Sequence, residues 1–148
     1  MFDSYSREQL RHTYAEAWRK YLAHLPLTPL ETMIAEVIGA HSEYQSIMSN
    51  TDTAVAFEPN IGEGAENPFL HLGLHLAVRE QVTIDRPPGI RELKRQLQIK
   101  YGELHRAEHA LMEALGETLW QAQRTGLPPN EGHYLALARL RLSADDKR

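Results

Sequence analysis

Two histidine pairs carry the most pointed chemistry in this chain, His71 with His75 and His105 with His109. Residues four apart on a helix lie about 40° from each other around the axis, so each pair would aim two imidazoles the same way. Neutral imidazole is a nitrogen donor for zinc, iron and related ions, and one helix can in this way give two ligands to one metal. Eight histidines placed at random would form about 0.4 such pairs, so two is an excess. Glu113 lies about 80° around the helix from His105 and adds a carboxylate oxygen to the second pair. On the first helix Glu80 falls opposite the histidines, and no carboxylate accompanies them. His41, on the apolar face of an earlier helix, offers a further nitrogen from a third direction. Bundle interiors build metal sites from facing helices in this manner.

The chain has no cysteine, which excludes thiolate zinc fingers, iron–sulfur sites, disulfide frameworks and thiol nucleophiles. Any metal must be held by nitrogen and oxygen. The expected site therefore takes one or two divalent ions, zinc, iron or manganese, through His71, His75, His105, His109, Glu113 and His41. An open coordination position would acidify a bound water, or let iron bind oxygen as in hemerythrin-like bundles, and the sequence does not choose between them. The same histidines also have a plain reading. A solvated face is the ordinary expectation for the charged stretch from His105 to His109. His71 and His75 are flanked by leucines, and burying two imidazoles unmet costs a few kcal/mol, so something polar must meet them. The stretch His105-Arg106-Ala107-Glu108-His109 also spells the inverted-zincin motif. Inverted zincins are large mixed α/β proteins with a third ligand far downstream, so Glu108 is not expected to be a catalytic base. No nucleophile elbow, Walker-type loop or dinucleotide fingerprint offers a rival catalytic centre.

The elements that must position these residues read as helices. Ser6-Arg7-Glu8-Gln9 is a capping box, and Leu10, Tyr14, Trp18 and Tyr21 follow on one face to about Leu22. Thr28-Pro29-Leu30-Glu31 starts a second helix, whose stripe Leu30, Ile34, Val37, His41, Tyr44, Met48 predicts a continuous element. Residues 49–66 have no sustained period and read as a long loop. Asn67-Pro68 opens the helix of the first pair, although leucine at every even position from Leu70 to Leu76 is also a strand pattern. Pro87-Pro88-Gly89 starts the next helix and Gly102 ends it. The second pair lies on a helix from about Glu103 to Thr125, stopped by Gly126, and Asn130 caps a last short one. The sum is a single all-α domain over residues 1–148, a compact bundle of about six helices.

Sixteen Lys+Arg against twenty Asp+Glu give a net charge of −4, so no global positive field would gather nucleic acid or an anionic membrane. A composition of 42% hydrophobic and 24% charged residues is ordinary for a folded soluble domain. With neither a secretory leader pattern nor an apolar run of membrane-spanning length, the chain is expected in the cytoplasm. The alternative to a metal protein is a non-catalytic interaction module, with structural histidines and a protein partner on the long loop or an exposed helix face.

Leu30-Glu31, His41-Ser42-Glu43-Tyr44, Asn67-Pro68-Phe69-Leu70-His71, Leu74-His75, Pro87-Pro88-Gly89-Ile90, His105, His109 and the stretch Met112 to Gln123 together give the sequence a family likeness. It resembles the small bacterial family called domain of unknown function 1841, over nearly the whole chain. That resemblance implies an identity and no activity. The family pattern reads His-Pro-Glu-Tyr-His on the second helix, whereas this sequence has Ser42 and Gln45 in place of the proline and the second histidine.

Overall fold

The structure, a computed structural model, describes residues 6–49, 54 and 68–144. Apart from Ser49 and Ala54, the expected loop at 49–66 lies outside the described residues, as does the Asn67 cap. Seven α-helices are present and no strand occurs among the described residues: α1 (Arg7–Leu22), α2 (Pro29–Gly39), α3 (Ser42–Met48), α4 (Pro68–Ile84), α5 (Ile90–Tyr101), α6 (Leu104–Thr125) and α7 (Glu131–Ser143). None of them is long and apolar enough to cross a membrane.

The local signals act as the sequence expects. Ser6 Oγ accepts the Gln9 N–H at 3.1 Å while Gln9 Oε1 accepts the Ser6 N–H at 2.8 Å. Thr28 and Glu31 repeat the exchange at 3.1 and 2.9 Å. Each box satisfies two amides that the first helical turn leaves without partners, and the capping hydroxyl contributes about 1 kcal/mol. Gly102 and Gly126 stand at φ 76° and 72°, the left-handed conformation that lets each N–H fold back onto a carbonyl of the last turn. A strand at residues 70–76 would put its four leucines on one face. Instead Leu72 and Leu76 are buried while Leu70 is 62% exposed, the spacing of a helix.

One expectation is corrected. The stripe from Leu30 to Met48 does not form a continuous helix, because α2 stops at Gly39 and α3 starts at Ser42. His41, between them, has φ −128° and ψ 74°. Its imidazole Nδ1–H donates to the Val37 carbonyl at 2.6 Å, where the next turn of a continuous helix would place the His41 backbone N–H. That N–H goes to the Ile38 carbonyl instead, at 3.0 Å. The Gln45 amide donates to the carbonyls of Ile38 and Gly39 at 3.5 and 3.3 Å, so side chains replace the backbone ladder at the break. The extra helix beyond the expected six arises here.

The chain divides into two compact units, Met1–Leu76 and Ala77–Arg148, with the boundary inside α4. In the first unit, Tyr14, Ala17 and Trp18 of α1, Ile34, Val37 and Ile38 of α2, Met48 of α3, and Phe69, Leu72 and Leu76 of α4 form one core. In the second, α5, α6 and α7 pack mutually, burying Leu93 and Leu97, Ala110, Leu111 and Leu115, and Tyr134 and Ala138. Arg91 ties the end of α4 down by donating to the carbonyls of Val82 and Thr83 at 3.0 and 2.7 Å. The Lys100 ammonium closes the end of α7, donating to the carbonyls of Arg141, Leu142 and Ala144 at 2.6, 3.1 and 2.6 Å.

Candidate metal centre

In the first unit, the break between α2 and α3 and the start of α4 bring three histidines together. His41 and His75 are fully buried and His71 is half-buried. His41 Nε2 and His71 Nε2 are 2.8 Å apart. The ring centres of His41 lie 4.6 Å from His71 and 5.2 Å from His75, both nearly perpendicular, and His71 and His75 are 6.3 Å apart. One ring nitrogen from each of the three lies within 4.8 Å of the others.

The bond from His41 Nδ1 to the Val37 carbonyl places a proton on Nδ1. In a neutral ring with Nδ1 protonated, Nε2 carries the lone pair, and that lone pair is the one turned toward His71. Two chemistries suit such a pair. Either His71 Nε2–H donates to His41, or a cation sits between two lone pairs. A tetrahedral zinc ion with bonds of about 2.0 to 2.1 Å spaces its nitrogens about 3.3 Å apart, so the pair need open by only about half an ångström. The ligand atoms of the cluster are all imidazole nitrogens, with no carboxylate among them. Such a set favours zinc or iron over magnesium or calcium.

Tyr44 completes the surroundings and is a residue that the spacing presents only as part of an apolar stripe. Its ring stacks on His41 at 5.8 Å and 16° and meets His71 edge-on at 5.7 Å and 63°. The available signal was its place one helical turn after His41. The Gln45 amide turns to the end of α2, donating to the carbonyls of Ile38 and Gly39.

The second pair lies on α6 in the second unit, with the rings of His105 and His109 4.0 Å apart and tilted by 42°. Glu113 is exposed and ion-paired with Arg141 of α7, so its carboxylate is directed to a cation across the helix pair. Glu108 is buried and held bidentately by Arg79, Nε to Oε2 at 3.0 Å and Nη2 to Oε1 at 3.2 Å. This two-point grip pairs the buried carboxylate with a guanidinium charge within the second unit.

No curated protein and no solved structure matches the chain. The family model described as a domain of unknown function (DUF1841) matches residues 6–140, nearly the full length, and the chain belongs to that family.

Proposed function

We propose that this protein binds a divalent transition-metal ion through His41, His71 and His75. The observation that carries it is the His41 ring, anchored by Nδ1–H on the Val37 carbonyl with its Nε2 lone pair turned to His71 Nε2 at 2.8 Å. Histidines that ligate metals characteristically donate their second ring N–H to a carbonyl or carboxylate, which fixes the tautomer and the ring orientation. An ion here takes a lone pair from each of the three rings, whose ligand atoms lie within 4.8 Å of one another. Zinc and ferrous iron suit three imidazoles; manganese ranks below them because its sites favour oxygen.

Water is the occupant expected at the remaining position of a tetrahedral ion. Three neutral ligands leave the ion's charge uncompensated, so a water there would ionise near neutrality and serve hydrolysis or hydration.

Metal content of the purified full-length chain, followed by cobalt substitution, tests this. About one ion per chain is expected, with cobalt giving the intense d–d absorption of a tetrahedral nitrogen site. A melting temperature indifferent to chelator, together with no cobalt absorption, overturns it.

A further inference from the structure

We infer that Tyr44 is a positioning residue of this centre, its ring serving as the wall that sets the orientation of the His41 and His71 imidazoles. This rests on the metal reading above and extends it to a side chain outside the ligand set. Both contacts are in the attractive range for aromatic rings, one stacked at 5.8 Å and one edge-on at 5.7 Å. They fall on the two rings whose Nε2 atoms are 2.8 Å apart. The terminal torsion of a histidine is broad and roughly two-fold, so a ring anchored at one nitrogen, as His41 is on the Val37 carbonyl, can still rock its other nitrogen away from an ion. A flat ring along the face of His41 and at the edge of His71 restricts that swing for both at once.

The chain builds this wall by the same device that orients His41. The break after Gly39 restarts the helix at Ser42, and the Tyr44 N–H bonds to the His41 carbonyl at 2.9 Å, which places the tyrosine on the first turn of α3 beside the histidine that precedes it. In a helix continuous through residue 41, the His41 N–H would itself turn to the Val37 carbonyl that the imidazole now takes. The contacts are made by the tyrosine ring, so the aromatic face is what positions, and phenylalanine should replace it.

Cobalt affinity by chelator competition and the cobalt absorption spectrum, measured on the full chain as wild type, Tyr44→Leu and Tyr44→Phe, test this. Tyr44→Leu should weaken cobalt binding roughly ten- to a hundredfold and shift the absorption bands, as loss of an outer group that orients ligands does. Tyr44→Phe should restore both. Wild-type affinity and spectrum in Tyr44→Leu overturn the inference while leaving the metal reading intact. Tyr44→Phe alone decides the matter if the leucine variant does not fold: a tenfold loss in it assigns the role to the hydroxyl and overturns the ring. No cobalt bound by the wild type overturns both readings together.

Discussion

The two histidine pairs are the same motif in two settings, and the settings decide what each can do. His71 and His75 start α4 among buried leucines, and His41 arrives from a helix break with its Nε2 2.8 Å from that of His71. His105 and His109 sit on α6, where the nearby acids are already matched to cations, Glu108 to Arg79 and Glu113 to Arg141. A pair spaced by four is thus half of a ligand set. The other half is a third nitrogen whose own second N–H is anchored, and His41 supplies it in the first unit.

The sharpest way to break this comparison is to delete one histidine from each pair. His71→Ala should abolish metal binding and with it the stabilisation the ion contributes, about 4 kcal/mol when free ion stands about a thousandfold above its dissociation constant. His105→Ala should keep the ion. Melting temperature with and without chelator reads both, and because protons compete for imidazole nitrogen, the chelator-sensitive gain should shrink in acid. Equal losses in the two variants would erase the distinction between the pairs.

Glu108→Ala sharpens it from the other side. It leaves the Arg79 guanidinium, 20% exposed, without the buried carboxylate it grips, and should lower stability by about 3 kcal/mol whether or not chelator is present. Denaturant unfolding would show it. A chelator-dependent loss would mean that Glu108 belongs with the metal chemistry and not with packing.

The interiors of the two units can be compared through their buried tyrosines. Burial pushes the Tyr14 phenol of the first unit up to about 12, and pushes that of Tyr134 in the second unit up as well. Because the folded state holds these protons more tightly than the unfolded chain, both tyrosines support the fold below the ordinary phenol range near 10. That support is lost as pH rises through 10 toward 12. Ultraviolet titration should find phenolate from Tyr14 appearing only as the protein unfolds in alkali. Ionisation of a Tyr14→Phe variant and the wild type in identical steps near pH 10 would contradict a sealed interior around Tyr14.

The smallest effect belongs to Glu113→Gln. Its ion pair with Arg141 is exposed, so stability should change by less than about 0.5 kcal/mol and metal content should not change. A fall in metal content would restore Glu113 as a ligand.

Much of the fold was legible because the signals that make helices are local. Ser6 with Gln9, Thr28 with Glu31, Gly102 and Gly126 each act within a turn of their own position, and the chain places helix starts and stops where they stand. The pairing of His71 with His75 was legible for the same reason, as four residues fix a common face whatever lies opposite. The break at His41 was not. Periodicity from Leu30 to Met48 is satisfied equally by one helix or by two in near register, and the choice turns on side chains taking over backbone carbonyls.

The sequence by itself determined a helical fold, the caps that bound its elements, and the presence of imidazoles in pairs without cysteine. Tertiary structure alone decided which of them meet. His41 and His71 are thirty residues apart, and Glu113 finds Arg141 across twenty-eight. Helical spacing reports which side of its own axis a residue occupies, within a few turns. Which partner faces that side depends on how the chain reverses and which cores close, and those contacts are set by packing energies summed over elements remote in sequence.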